Sequence, residues 1–179
     1  MNPAVPRRMN RTTIYESDWV CLYRDKVAMP DGRILEAYHK LHIPHESSCI
    51  VIAKDKEEIL LIQSRRYITE KLEWEIPAGR IEDGETPEEA AKREALEETG
   101  CTVRELTCFG CQNPCNGMSD LKLHMFGARV ESEISDFDEN EVQAKKWVPK
   151  EKVLEMLRTN EIQCGISISA LLYAIHFWM

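Results

Sequence analysis

The chain has 179 residues, of which 43% are hydrophobic and 30% are charged, and it carries a formal net charge of -8. That size and balance fit one globular domain with a small additional element, and the acidic charge argues against a nucleic-acid partner. No apolar stretch approaches the ~20 residues that a transmembrane helix needs, and the N-terminus lacks the apolar core of a secretion signal. We therefore expect a cytoplasmic protein without a membrane partner, whose seven cysteines are reduced thiols.

The first 45 residues are predicted to form an N-terminal element made of a tail and a β-hairpin. Two prolines and two arginines within residues 1–8 indicate a mobile tail. Strand-like sequences at 18–28 and 33–43 flank Pro30-Asp31-Gly32, whose residue types are typical of a tight turn. We expect these two strands to form a small antiparallel sheet.

Residues 46–179 are predicted to form the main domain, an α/β fold with a mixed sheet covered on both faces. Two short apolar runs, 48–54 and 58–63, are predicted to be central strands joined by a turn at Asp55-Lys56-Glu57. The other predicted elements are a loop at 64–72, a helix at 87–99, strands at 102–111 and 121–131, an acidic loop at 132–141, a strand at 142–148, a helix at 149–158 and a final helix after Gly165.

The helix predicted at 87–99 carries three carboxylates on one face. Glu94 lies three and four residues before Glu97 and Glu98, so their charges repel at close range. A divalent cation would remove that repulsion, and hard cations such as Mg2+ prefer carboxylate oxygen, often together with substrate phosphates. The alternative is an ordinary acidic helix with a solvated face, because Thr86 and Gly100 are common helix start and stop residues.

This segment resembles the Nudix box, Gly-x5-Glu-x7-Arg-Glu-U-x-Glu-Glu-x-Gly-U, in which U is a bulky apolar residue. Every specified polar and glycine position matches, while the two U positions hold the smaller Ala95 and Cys101. The matching residues are Gly79, Glu85, Arg93, Glu94, Glu97, Glu98 and Gly100. The resemblance implies an α/β/α sandwich and metal-dependent hydrolysis of a nucleoside diphosphate linked to another moiety.

The Nudix resemblance also implies a metal site. Glu94 and Glu98 would be the principal Mg2+ ligands, with Mn2+ as the alternative cation. Glu97 would be a third ligand or would orient water for the reaction. The backbone carbonyl of Ala78, which comes just before the box glycine, would also coordinate the metal.

Outside the metal site, the resemblance implies an ion pair and a catalytic base. Arg93 would pair with Glu85 and steady the loop before the helix. The base would lie on the acidic loop, where Glu139-Asn140-Glu141 resembles the Glu-x-Glu of ADP-ribose pyrophosphatases. The first glutamate of that motif nominates Glu139, with Glu141 second, and a solvated acidic loop without a catalytic role is the alternative.

Upstream of the box, Arg65-Arg66-Tyr67 resembles the Gln-aromatic-Arg-Tyr segment of the ADP-ribose and nucleoside diphosphate sugar branch. That resemblance implies a phosphate contact at Arg66 and a base or sugar contact at Tyr67, against the alternative of a surface arginine pair on a loop. The N-terminal element resembles the part of this branch that forms a homodimer and contributes to the nucleotide pocket. Trp19 and Tyr38 there are candidates for stacking on a base, or for core or interface packing.

One departure weakens ADP-ribose as the preferred substrate. Members of this branch tend to have a proline beyond the box at the position where this chain has Asn116. Asn116 and Ser119 offer hydrogen-bonding groups for a sugar or phosphate, or simply cap a turn. Another nucleoside diphosphate sugar is therefore a competing candidate for the small-molecule substrate.

Three other interpretations stay open. One is a nucleoside triphosphate pyrophosphohydrolase that cleans the nucleotide pool, although the long segment before the first core strand argues against it. Another is a regulatory module that binds a nucleotide without turnover, although the box glutamates are intact. The third is a structural zinc site at Cys108, Cys111 and Cys115 with His124 or a distant cysteine as the fourth ligand, although no second paired motif is present.

Overall fold

The computed structural model describes residues 5–54, 58–134 and 136–179 of the chain. Three features discussed above lie partly or wholly outside these residues: the start of the N-terminal tail, the turn at Asp55-Lys56-Glu57, and Ser135 of the acidic loop. Within the described part, no helix is both long enough and apolar enough to cross a membrane.

The chain folds into two compact units, each with its own sheet. The N-terminal unit combines Met1–Glu46 with Cys115–Leu121, and the main unit combines Ser47–Pro114 with Lys122–Met179. The sequence places a single boundary after residue 45, whereas the structure also assigns residues 115–121 to the N-terminal unit.

The N-terminal unit contains a three-stranded antiparallel sheet instead of the predicted hairpin. Its strands, in the order β1-β2-β3, are β1 (Arg7–Glu16), β2 (Cys21–Ala28) and β3 (Ile34–His42). The predicted turn at Pro30-Asp31-Gly32 joins β2 to β3, and the Gly32 N–H donates to the Met29 carbonyl at 3.0 Å. The predicted strand pair is therefore present, with one strand more than expected.

Strand β1 includes Arg7 and Arg8, which the sequence analysis assigned to a mobile tail. That prediction was wrong because the side chains of β1 are nearly all exposed, so no alternation of apolar and polar residues reveals the strand. An ion pair attaches β1 to β2, since the Arg11 guanidinium donates two hydrogen bonds to Asp25 at 2.8 and 2.7 Å. These hydrogen bonds lower the pKa of the buried Asp25 carboxyl, so the pair stays ionised.

The main unit is a mixed sheet with helices on both faces, as the sequence predicts. Its strands are β4 (Ser47–Lys54), β5 (Glu58–Arg66), β6 (Lys71–Glu75), β7 (Ala78–Arg80), β8 (Cys101–Gln112), β9 (Leu123–Glu133) and β10 (Val142–Pro149). Its helices are α1 (Pro87–Thr99), α2 (Lys150–Arg158) and α3 (Gly165–Tyr173), followed by a π-helix, Ala174–Trp178. The central order is β10-β5-β4-β9-β8, with β4 parallel to β9, while β6 pairs with β5 and β7 with β4.

Successive residues of the central strands pack on opposite faces of the sheet. Ile50 and Ile52 of β4 pack in one cluster with Ala91 and Ala95 of α1. Val51 belongs to the cluster on the other face, which includes residues of α2 and α3. Full burial of such a branched side chain contributes roughly 1.5–3 kcal/mol, so this packing fixes α1 against β4. The α/β/α sandwich predicted from the sequence is confirmed.

Residues 64–72, predicted as a loop, instead continue the sheet. Strand β5 extends to Arg66, and a turn leads back into β6, which pairs Arg65 with Leu72 and Arg66 with Lys71. The residues of this hairpin are mostly polar, so they lack the periodicity by which a strand is recognised. Arg65 and Arg66 therefore lie on a strand next to β10.

Gly100 ends α1 in a backbone conformation that favours glycine. Its φ is +68°, and its N–H donates to the Leu96 carbonyl. A Cβ at this position would lie 2.5 Å from the carbonyl oxygen of Ile134 and 2.6 Å from that of Asp136. The acidic loop can therefore approach the end of α1 only because residue 100 has no side chain.

We expect Gly100→Ala to lower the free energy of unfolding by about 3 kcal/mol or more, because a left-handed conformation and a backbone clash both oppose the methyl group. Gly84→Ala is the matched control. Its φ is +85° but an added Cβ meets nothing within 4 Å, so only the conformational cost of about 1–2 kcal/mol applies. Urea unfolding measures both variants, and equal losses would show that the loop does not press on Gly100.

Candidate active site

Helix α1 begins at the cap that the sequence predicts. The Thr86 hydroxyl accepts a hydrogen bond from the Glu89 backbone N–H at 3.2 Å, and the Glu89 carboxylate accepts one from the Thr86 N–H at 2.8 Å. Pro87 occupies the first helical position. These reciprocal bonds satisfy two donors that a helix start otherwise leaves unpaired. The cap therefore fixes the residue at which α1 begins.

Glu94 and Glu98 lie on the buried face of α1, with exposed fractions of 9% and 3%. Glu98 Oε2 accepts a hydrogen bond from the Ala78 backbone N–H at 3.0 Å. A Cβ on Gly79 would lie 1.8 Å from Glu94 Oε1, so only glycine leaves room for this carboxylate. The two residues predicted as principal metal ligands therefore lie against the backbone of β7.

Burial raises the pKa of both carboxyl groups. For Glu98, burial is the largest cause and the neighbouring Glu94 the second, and together they raise the pKa to about 9. A cation beside these oxygens would favour the ionised form of both groups. Buried carboxylates next to the Ala78 backbone therefore form an oxygen donor set that fits a hard divalent cation such as Mg2+.

Arg93 connects the loop before α1 to the carboxylates of the helix. Its Nε and Nη2 donate to the two Glu85 oxygens at 3.0 and 3.1 Å, which is the ion pair that the sequence predicts. Its Nη1 donates to Glu94 at 2.6 Å and to Glu97 at 2.9 Å. Nη2 also binds the Arg80 carbonyl oxygen at 2.8 Å. One guanidinium thus contacts the carboxylates of Glu85, Glu94 and Glu97 and offsets the repulsion among these three.

Among the described residues, no three His, Cys, Asp or Glu side chains are arranged around a common metal position. At the predicted site, Arg93 and the Ala78 N–H bind carboxylate oxygens that a cation would otherwise attract. The same finding gives no support to the alternative zinc site at Cys108, Cys111 and Cys115.

The acidic loop between β9 and β10 lies beside the second half of α1. The Asp138 backbone N–H donates to the Glu97 carbonyl at 2.9 Å. An open cleft of about 670 Å³ is lined by Glu94, Glu97, Glu98, Phe137, Asp138 and Glu141, among others. The charge of Glu141 contributes to the raised pKa of both buried glutamates. Glu139, the first sequence choice for the base, is absent from the described lining of this cleft.

Arg66 lies at the end of β5 and Tyr67 on the turn that follows. Arg66 Nε lies 3.0 and 3.1 Å from the two oxygens of Glu75, and Nη1 lies 3.5 Å from Glu141. Hydrogen bonding to Glu75 raises the pKa of Arg66, so the guanidinium stays charged. Tyr67 is 93% exposed. A second cavity, of about 820 Å³, is bordered by Arg66, Tyr67, Glu75, Ala78, Gly79 and Arg80, among others.

Glu75 is a site residue that the sequence analysis missed. It is 3% exposed and binds Arg66 through both carboxylate oxygens. Its position between Trp74 and Ile76 could have predicted a buried ion pair, because a glutamate among apolar residues is rarely buried without a partner. The alternative of a surface arginine on a loop does not hold for Arg66, because Arg66 is part-buried at the end of strand β5.

Trp19, Asn116 and Ser119 belong to the N-terminal unit. Trp19 is 70% exposed between β1 and β2. The Ser119 hydroxyl accepts a hydrogen bond from the Leu121 N–H at 3.1 Å, which is the turn-capping role considered above. Contacts of these three residues with a nucleotide stay predictions.

Known proteins resemble this chain in sequence and in structure. Residues 43–164 match the NUDIX domain model. The chain is 30% identical over 164 residues to the ADP-ribose pyrophosphatase of Bacillus subtilis (strain 168), covering 89% of this chain and 87% of that protein. It is 28% identical over 160 residues to the CMP-5'-(N-acetyl-N-hydroxy-3-aminopropyl)phosphonate hydrolase of Streptomyces rubellomurinus, covering 88% and 77%. The crystal structure of an ADP compounds hydrolase superposes with a TM-score of 0.84 at 22% identity, covering 97% and 94%.

The chain belongs to the Nudix family, because the family model spans well over half of its residues. The predictions of a Nudix pyrophosphatase and of its fold are therefore confirmed. Divalent cations are general in this family, which agrees with the oxygen donor set at Glu94 and Glu98.

We expect Gly79→Ala to lower kcat for diphosphate hydrolysis by about 100-fold, because the methyl group would displace the Glu94 carboxylate. The free end of the Glu94 side chain can move, so the free energy of unfolding should fall by less than about 1 kcal/mol. Gly165→Ala, where an added Cβ meets nothing within 4 Å, is the control and should keep its activity. Full activity of the Gly79→Ala enzyme would contradict this role for the backbone at residue 79.

Proposed function

We propose that this protein hydrolyses the diphosphate bond of ADP-ribose or a related nucleoside diphosphate sugar, releasing a nucleoside monophosphate and a sugar phosphate. The observation that carries the proposal is the buried pair Glu94 and Glu98, which lines the 670 Å³ cleft. The pair contacts the backbone of Ala78 and Gly79, and these two residues border the 820 Å³ cavity. Similarity to an ADP-ribose pyrophosphatase over most of both chains supports the substrate class.

Glu94 and Glu98, together with Glu97 and the Ala78 carbonyl, would hold Mg2+, with Mn2+ as the alternative. When bound, such a cation supplies positive charge that neutralises the phosphate oxygens during hydrolysis. The protein's own contribution is to hold the two carboxylates in a buried place, where charges interact more strongly than in water. Arg93 keeps Glu97 beside them through its hydrogen bond at 2.9 Å.

Glu141 is the proposed catalytic base. Its side chain lines the same cleft as the three carboxylates of α1, and Arg66 binds one of its oxygens at 3.5 Å. The other carboxylate oxygen would accept a proton from the attacking water. The sequence ranks Glu139 first, but the position of Glu141 in the cleft makes Glu141 the better candidate.

Arg66 is the proposed phosphate contact, and Tyr67 the proposed contact for the base or sugar. Glu75 binds the guanidinium through two oxygens and so fixes its orientation at the border of the 820 Å³ cavity. An arginine has five N–H donors, and those not used for Glu75 and Glu141 are available for a phosphate oxygen. The cavity volume lies in the range that accommodates a nucleotide-sized ligand.

We also propose that the protein forms a homodimer and that it is cytoplasmic. The cytoplasmic location rests on the sequence alone. Met9, Ile14 and Tyr15 of β1 and Ile34 of β3 have exposed apolar side chains, which favour contact with a second copy. A solution mass of twice 20.7 kDa by light scattering would support the dimer, and a mass of 20.7 kDa would contradict it.

We expect the enzyme with Mg2+ to convert ADP-ribose or another nucleoside diphosphate sugar into a nucleoside monophosphate and a sugar phosphate, resolved by chromatography. EDTA should abolish turnover, and Glu98→Gln should lower it by at least about 100-fold without unfolding the protein. Glu88→Gln, the same change at an exposed position of α1, should leave turnover unchanged.

The same assay should be run with CDP-linked compounds, because one relative is a CMP-phosphonate hydrolase. It should also be run with nucleoside triphosphates. Pyrophosphate release from triphosphates alone would contradict the proposal in favour of nucleotide-pool cleaning. Tight nucleotide binding without turnover in Mg2+ or Mn2+ would instead indicate a regulatory module.

We expect Glu141→Gln to lower kcat by about 100-fold with KM changed less than about 2-fold, because only proton acceptance is lost. Glu139→Gln is the matched control on the same loop, and its kcat should stay within about 3-fold of wild type. Steady-state kinetics with saturating Mg2+ measures both variants. The opposite ranking would restore Glu139 as the base.

A further inference from the structure

We infer that Arg65 is a positioning residue that holds the loop carrying Glu141 in place for hydrolysis. The inference rests on the proposed function, in which Glu141 is the base. Arg65 occupies the aromatic position of the Gln-aromatic-Arg-Tyr segment, so the sequence assigned it no role beyond a surface arginine.

Three contacts join residue 65 to the end of the acidic loop and the start of β10. Its backbone N–H donates to the Glu141 carbonyl at 2.9 Å. Its Nη1 donates to the Glu139 carbonyl at 3.3 Å, and its Nη2 donates to Gln143 Oε1. A single planar guanidinium therefore binds the chain on both sides of Glu141.

Two further hydrogen bonds hold the earlier part of the loop. The Asp138 N–H binds the Glu97 carbonyl at 2.9 Å, and the Asp138 carboxylate accepts from the Asn140 N–H at 2.8 Å. The first bond attaches the loop to α1 before Glu141 is reached, and the second lies within the loop. Arg65 supplies the second attachment, where the loop returns to the sheet. A catalytic group on a loop needs such support to keep a productive position.

Neighbouring strand residues point to opposite faces, so the side chains of Arg65 and Arg66 reach different groups. The Arg66 side chain binds the Glu141 carboxylate at 3.5 Å, whereas the Arg65 side chain binds Glu139 and Gln143 on either side of it, and only the Arg65 backbone N–H binds Glu141 itself. Arg65 therefore sets where Glu141 lies. Because Arg65 also borders the 820 Å³ cavity, a direct contact with substrate is the competing role that the test must separate.

The test compares Arg65→Ala, Arg65→Lys and Gln143→Ala, with Arg104→Ala, an exposed arginine on β8, as the control. Arg65→Ala should lower kcat by about 10-fold with KM within about 2-fold of wild type, because a displaced base slows chemistry more than binding. Gln143→Ala should reproduce about a 3-fold loss, and Arg65→Lys should recover part of the activity, because an ammonium can reach one of the two acceptors.

Amide hydrogen exchange gives a readout that does not need activity. The Asp138 N–H binds the Glu97 carbonyl, and the Val142 N–H binds the Asp138 carbonyl. Both amides should exchange at least about 5-fold faster in Arg65→Ala than in wild type, and at the wild-type rate in Arg104→Ala. Unchanged exchange at both amides would overturn the inference, whether or not the wild-type enzyme is active. Failure of the wild type to hydrolyse any nucleoside diphosphate compound would instead count against the proposed function.

A double-mutant cycle locates the effect on Glu141. In the Glu141→Gln background, Arg65→Ala should leave kcat unchanged within about 2-fold, because the base it positions is already disabled. A full additional 10-fold loss would overturn the inference. A raised KM with an unchanged kcat would also overturn it, since Arg65 would then act by binding substrate.

Discussion

The site depends on two carboxylates, Glu94 and Glu98, that are buried together against the backbone of β7. Burying an ionised carboxylate is unfavourable unless its charge is compensated, and two of them four residues apart repel each other. The fold supplies partial compensation through Arg93 and the Ala78 N–H. A divalent cation would complete it, which is why we interpret an otherwise unfavourable arrangement as a functional one.

The surrounding elements keep those carboxylates in one place. Apolar packing between α1 and β4 holds the helix on the sheet, and the absence of a side chain at Gly79 lets Glu94 reach the β7 backbone. Gly100 then allows the acidic loop to pass close to the end of α1. The same loop brings Glu141 to the cleft, where Arg66 contacts its carboxylate. The proposed cation ligands and the proposed base are thus held by α1 and by the loop that contacts its end.

Local features of the fold could be predicted from the sequence, and long-range polar contacts could not. The cap at Thr86, the face of α1 and its end at Gly100 depend on residues a few positions apart, so their spacing is informative. By contrast, β1 pairs with β2, and the end of β5 pairs with β6, through polar segments that show no apolar periodicity. We prefer Glu141 to Glu139 as the base because of how the acidic loop is attached to β5. The hydrogen bonds of that attachment join residues 74 to 78 positions apart, so sequence spacing could not show them.

The most direct test of the central claim is cation binding without substrate. Electron paramagnetic resonance can measure the affinity for Mn2+ of the wild-type protein and of Glu98→Gln, with circular dichroism showing that both are folded. We expect Glu98→Gln to bind Mn2+ at least about 10-fold more weakly, because one of two principal ligands is lost. Equal affinities would show that the buried pair is not the cation site.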